Sequence, residues 1–111
     1  MKFSESLKRN QDFRKVYAEG RSYANRYLVM YTLANRTDRN RLGISVSKKV
    51  GNSVVRHRIT RLIRESYRLK EELFNSGLDM VIVARKGAKD KTCQEIESAL
   101  LHLGKLHGII K

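Results

Sequence analysis

Proline and tryptophan are absent from this chain of 111 residues, and cysteine occurs once, at Cys93. A single thiol allows no intramolecular disulfide and no zinc site built from thiolates, so neither device braces the fold. It fits a reducing compartment, where a lone cysteine is usually a small core residue. Acids are also scarce, 11 against 24 lysines and arginines, for a formal net charge of +13. No apolar run approaches the ~20 residues needed to cross a bilayer, and the opening MKFSESLKRNQDF lacks the apolar stretch of a signal peptide. A cytoplasmic protein of one domain, residues 1–111, is expected.

Hydrophobic residues at 41% exclude a disordered polybasic tail. A charge balance this uneven repels itself unless a polyanion is present, which leaves nucleic acid, an anionic membrane surface or an acidic protein as partner. The charge is also concentrated. Between Arg36 and Arg68 lie ten lysines and arginines against two acids, Asp38 and Glu65.

With no proline, glycine and asparagine must punctuate the chain. NQDFRKVYAEG spaces Phe13, Val16 and Tyr17 as a short amphipathic helix, capped by Asn10 and stopped at Gly20. YLVMYTLA (27–34) and RLGISVS (41–47) read as strands joined by the polar turn ANRTDRNR, which suggests an antiparallel pair, with RSYAN adding a shorter strand. Gly43 either admits a close approach to the sheet or tolerates a bend. A long helix is expected from about Val54 to Phe74, capped by Asn52 or Ser53, with Val55, Ile59, Leu62, Ile63, Ser66, Leu69 and Leu73 on its apolar side. LDMVIVA (78–84) is apolar almost throughout, as in a strand covered on both faces or central in the sheet. Thr92 to Glu95 has capping-box spacing, and Ile96, Leu100, Leu103 and Leu106 continue a last helix. The fold class is α+β, three helices with a small mixed sheet of about four strands, in the order α-β-β-β-α-β-α.

The segment VVRHRITRLIRE places His57, Arg61, Arg64 and Arg68 along the helix side opposite the apolar stripe, flanked by Arg56 and Arg58. Arginine forks can grip phosphates with two hydrogen bonds, which favours nucleic acid over a generic anion. Phe13, Tyr17, Tyr27 and Tyr31 fall in the first helix and the adjoining strand, where they either pack in a core or line a cleft that stacks unpaired bases. A basic face behind an apolar face also describes an interfacial membrane helix, but the sheet needs that apolar stripe as cover. Catalysis has no obvious seat. Cys93 sits at a helix start, where core packing is the simpler reading, and His102 and His107, five apart, do not share a helical face.

The run SVSKKVGNSVVRHRITRLIRES resembles the signature of the protein subunit of bacterial ribonuclease P: a strand ending in Ser-Lys-Lys, a glycine-bearing loop, then a helix with arginines one turn apart. DFRKVYAEG, ANRYLVMYTL and MVIVARKGA extend the likeness over nearly the whole chain. The resemblance implies a left-handed crossover through the long helix between parallel strands, an exception to the usual hand. It implies a protein that binds a large catalytic RNA and helps it remove the 5′ leader of precursor tRNA, with Mg2+ held mainly by the RNA, no catalytic residue in this chain and no protein partner required. Carried onto this sequence, Lys48, Lys49, Asn52, Arg56, His57, Arg58, Arg61, Arg64 and Arg68 would contact the RNA subunit, and Phe13, Tyr17, Asn25, Arg26 and Tyr31 would line the leader cleft. His57 stands where the family usually has asparagine, and Tyr17 where phenylalanine is more usual. Imidazole keeps the ability to donate and accept, with a different reach. The rival reading is a generic or ribosomal RNA-binding protein, which accounts for the basic ridge but not for the ordered set of matching segments.

If about five of these cations neutralise phosphates, RNA affinity will fall with salt at a log-log slope of about −4.5 for a duplex and somewhat less steeply for single strands. Binding titrations between low and moderate salt measure that slope, and a flat response would remove the phosphate reading.

Overall fold

The computed structural model describes residues 2–111. Along the chain run β1 (Ser4–Ser6), α1 (Asn10–Glu19), β2 (Arg21–Ala24), β3 (Leu28–Ala34), β4 (Asn40–Ser45), α2 (Ser53–Lys70), β5 (Leu78–Ala84) and α3 (Cys93–His107), with short 3-10 turns at Glu71–Leu73 and Lys86–Ala88. The five strands form one mixed sheet in the order β1-β4-β5-β3-β2. β1 and β5 both run parallel to β4, whereas β3 is antiparallel to β5 and to β2. The α+β class and the three helices are as expected. So is the parallel pairing of β4 and β5 across α2.

Several expectations need correction. A fifth strand, β1, occupies the edge beside β4. Its three residues carry no pattern of their own; it is fixed by distant side chains, since Ser4 Oγ lies 2.8 Å from the Tyr67 hydroxyl and the Glu71 carboxylate accepts from the backbone N–H groups of Lys2 and Phe3. Burial opposes ionisation of Glu71, but bonds from Ser4 and those two N–H groups outweigh it and hold its pKa below the ordinary value. Second, β3 and β4 do not pair with each other, because β5 lies between them. Met80, Val81 and Ile82 of β5 are completely buried, which only a central position with cover on both faces allows.

Third, the buried side of α2 ends sooner than expected and takes in Tyr67. It buries Ile59, Ile63, Ser66 and Tyr67, while Leu69 and Leu73 are exposed, and the α-helix ends at Lys70 before a 3-10 turn rather than running to Phe74. Tyr67 wins the inward position because its ring meets Phe74 and its hydroxyl reaches Ser4 and Asn40, partners that periodicity cannot disclose. Leu106 of α3 is likewise exposed. Among the caps, Asn52 accepts from the Val55 N–H as expected and Thr92 forms a full capping box with Glu95. Asn10 is instead the first residue of α1, whose cap position, Arg9, makes no side-chain bond.

Strand alternation assigns two faces. Leu28, Met30, Leu42, Met80, Ile82 and Ala84 meet α2 and α3 in the main core, together with Ile59, Ile63, Leu100 and Leu103. The other face carries Val81, with Tyr31, Leu33 and Val83, and is covered by α1 through Val16 and Phe13. The last turn of α3 closes at Gly108, whose φ of 72° is left-handed and suits glycine.

His107 is a structural histidine. Its Nε2 lies 2.8 Å from the Met30 carbonyl, to which it donates, and Nδ1 lies 3.1 Å from the Thr32 hydroxyl. Desolvation, aided by the charge of Arg21 and opposed by the Met30 carbonyl, lowers its pKa. The unfolded chain therefore binds a proton more readily near the ordinary value of ~6.5, and stability must fall as pH drops through that value and level off below the folded pKa. Urea unfolding at pH 7.5 and 5.5 will show the loss, and His107→Gln will shrink the difference; an unchanged difference would exclude His107 as its source.

Candidate nucleic-acid interface

The basic ridge is created by the way α2 is anchored. Asn52 caps its start, and Ile59, Ile63 and Tyr67 hold one side against the sheet, so His57, Arg61, Arg64 and Arg68 emerge on the solvent side. Lys48 and Lys49 are exposed in the loop leading from β4 into the helix. These cations are not equivalent. Arg58 is spent on the protein, its guanidinium donating to the carbonyls of Lys89 at 3.1 Å and Lys91 at 2.9 Å and so tying α2 to the loop after β5. Arg68 is paired with Glu65 one turn back, in an exposed ion pair. Arg61 and Arg64 make no ion pair or side-chain hydrogen bond among the described residues, and with Lys48 and Lys49 they form the available positive surface. Arg56 is half-buried.

On the other side of the sheet, an aromatic group is assembled from α1 and β3. The rings of Phe13 and Tyr17 lie 6.4 Å apart, and Tyr17 meets Tyr31 edge-on at 4.9 Å. Tyr17 is exposed, and Phe13 and Tyr31 are half-buried, so the trio is a surface feature with one side in the core. Gly43 is what lets the tip of the Phe13 ring approach the sheet so closely: a Cβ there would stand 2.6 Å from the ring. On the same face, the cross-strand row Ser45, Val83 and Val29 lies beside the row of Gly43, Val81 and Tyr31, and all three of its residues are half-buried. That row lies at the end of β4 from which the Lys48–Lys49 loop departs.

A charge network also joins α1 to the sheet. Asp79, buried on β5, is held by the Arg41 guanidinium, with Nε at 2.8 Å, and by the Asn35 amide at 3.0 Å. Arg41 also reaches Asp12 of α1 at 3.5 Å. Burial alone would raise the Asp79 pKa, but the Arg41 and Asn35 bonds and the Arg41 charge carry it below the usual carboxylate value.

The structure does not bring Asn25 and Arg26 to this trio. Asn25 is the hub of the β2–β3 turn: its Oδ1 accepts from the N–H groups of Tyr27 and Leu28, and its Nδ2 donates to the Ala99 carbonyl of α3. The Arg85 guanidinium donates to the Asn25 carbonyl at 2.7 Å. Asn25 and Arg26 border a separate open hollow of about 500 Å3 against α3, with Tyr27, Ser98 and His102. Sequence reasoning also did not single out Val29, Val83 and Ser45, the row beside the trio. The apolar run LDMVIVA hides which of its residues face which way, so no signal marked Val83.

A positive helix ridge on one side of an α+β sheet and a group of surface aromatics on the other are features expected of a nucleic-acid-binding protein. Comparison with known proteins supplies the family. The ribonuclease P family model matches residues 1–107. The ribonuclease P protein component of Lachnoclostridium phytofermentans is 68% identical, over 96% of this chain and 92% of its own length, and that of Alkaliphilus metalliredigens 54%, over 93% of both. The structure of the Staphylococcus aureus RNase P protein superposes with a TM-score of 0.88 at 40% identity, covering 97% of this chain and 99% of that one. The Thermotoga maritima RNase P protein gives 0.85 at 31% identity, covering 92% of this chain and 96% of that one. The chain belongs to the ribonuclease P protein family, whose members are subunits of the endoribonuclease that matures the 5′ end of tRNA.

Arg58 and Arg61 should separate cleanly. Arg58→Ala, which frees the loop after β5, will lower unfolding stability by about 1 kcal/mol, whereas Arg61→Ala will leave it within about 0.5 kcal/mol and flatten the salt slope of RNA binding by about 1. Chemical denaturation and salt titration of both variants check this.

Proposed function

We propose that the two surfaces divide the work of the ribonucleoprotein: the α2 ridge with the Lys48–Lys49 loop binds the catalytic RNA subunit, and the Phe13, Tyr17 and Tyr31 cleft holds the single-stranded 5′ leader of precursor tRNA. The observation that carries this reading is the aromatic trio left at the surface beside the half-buried row of Val29, Val83 and Ser45. A folding requirement would bury such rings. Unpaired bases stack on them without regard to sequence, which suits leaders of differing sequence. Mature tRNA has no leader to place there, so this contact discriminates substrate from product.

The metal belongs on the RNA in this reading. The carboxylates beside the cleft are already committed, Asp79 to Arg41 and Asn35 and Asp12 to Arg41, and among the described residues no three of His, Cys, Asp and Glu are grouped to hold an ion. The carboxylates beside the aromatic trio therefore offer Mg2+ no uncommitted ligand. The protein acts on the phosphates instead: Arg61, Arg64, Lys48 and Lys49 offset repulsion within the RNA, which lowers the Mg2+ concentration the RNA needs. Bound leader then aligns the substrate with the RNA's catalytic centre.

Holoenzyme reconstituted with a bacterial ribonuclease P RNA tests the division. Phe13→Ala should cut the preference for precursor over mature tRNA by roughly 5-fold to 150-fold, the loss of about 1–3 kcal/mol of base stacking, with assembly unaltered. Arg61→Ala should weaken assembly and raise the Mg2+ requirement while leaving the preference unchanged. Equal effects of both changes on both quantities would overturn the two-surface reading.

A further inference from the structure

We propose that Asp12 and Arg41 are positioning residues for the leader cleft: the ion pair between them, held on the sheet by buried Asp79, fixes where α1 sets the Phe13 ring. The inference rests on the assignment of that cleft to the 5′ leader.

Two successive residues of α1 meet two alternate residues of β4. Asp12 Oδ2 lies 3.5 Å from the Arg41 guanidinium, and the Phe13 ring takes up the space above Gly43 that a side chain would fill. Strand alternation puts Arg41 and Gly43 on one face of the sheet, where their partners on β5 are Asp79 and Val81. Little else holds α1 in register. Val16 is the one residue of the helix that is buried, and Arg9 at its cap position makes no side-chain bond. Apolar contact has no direction, so a helix seated on so few such contacts needs a directional one to keep it from sliding.

The Arg41 guanidinium is itself fixed before it meets α1. Its Nε donates to Asp79 Oδ1 at 2.8 Å and its Nη2 to Oδ2, and Asp79 also accepts from the Asn35 amide, which bonds the Arg39 carbonyl at 2.9 Å as well. Nη1 is left to reach Asp12. Stability alone does not call for this arrangement, because apolar residues in place of a buried ion pair often leave a protein as stable or more so. What the charges add is orientation, since a two-point grip of guanidinium on carboxylate sets direction as well as distance. Asp12 and Arg41 are both half-buried, which limits screening of their attraction.

Charge by itself and positioning predict opposite signs for loss of Asp12. A negative charge one residue from a ring that holds a polyanion repels it, so on electrostatic grounds its removal should strengthen leader binding. Positioning requires the reverse, because a displaced ring stacks less well on a base.

The test uses holoenzyme reconstituted with a bacterial ribonuclease P RNA and measures affinity for precursor tRNA relative to mature tRNA, with the wild-type protein, Asp12→Asn, Phe13→Ala and the double variant. Asp12→Asn keeps the shape of the side chain and removes its charge. It should lower the ratio roughly 2-fold to 5-fold, with assembly on the RNA subunit unaltered. In the Phe13→Ala background it should have little further effect, since it acts through that ring. A ratio unchanged or raised by Asp12→Asn would overturn the proposal, and so would a loss that adds in full to that of Phe13→Ala. A ratio insensitive to Phe13→Ala would instead strike the leader cleft itself, and the positioning role with it.

Discussion

The structure depends on the burial of β5. Met80, Val81 and Ile82 lose all contact with water, which places this strand at the centre of the sheet and requires a cover on each face. α2 and α3 supply one and α1 the other, and the edges of β5 are closed by parallel β4 and antiparallel β3. Full burial of side chains of this kind is worth roughly 1.5–3 kcal/mol each, more than any single exposed ion pair in the molecule. The two surfaces are consequences of that demand. α2 becomes a ridge because its other side is taken by the core, and α1 leaves the half-buried row of Val29 and Val83 beside its rings.

Charge is sorted by the same packing. A positive excess of this size would oppose folding if it were crowded together, yet the cations play different parts. Arg41 anchors Asp79 and reaches Asp12 of α1, Arg58 fastens the loop after β5, and Arg68 is paired with Glu65. What remains is a set of basic side chains along one side of α2 and its leading loop. Those without a protein partner are the ones on which a polyanion has most to gain, because binding there breaks nothing in the fold.

The helical ridge and the centrality of β5 were legible in the sequence because they follow from periodicity and from a run of apolar residues bounded by glycine and polar turns. The caps at Asn52 and Thr92 were legible for a local reason, a side chain that reaches the backbone three residues on. β1 was not, since three residues have no measurable period, and its support comes from Tyr67 and Glu71 more than sixty residues away. Nor was the exposure of Leu69 and Leu73, which reflects the capture of Tyr67 by Ser4 and Asn40 rather than any property of the helix alone. Asn25 was placed by likeness with the cleft and is found tying the β2–β3 turn to α3.

The sequence by itself determined the class of fold, the concentration of positive charge on one helix and its loop, and the family to which the chain belongs. Each is written in the order and spacing of residues. Only the tertiary structure decided which arginines are free and which are bound to the protein, that Gly43 makes room for Phe13, and that Val29 and Val83 form the row beside Tyr31. Those outcomes turn on contacts between segments far apart in the chain, and a residue's neighbours in space exist only once the sheet has set its register.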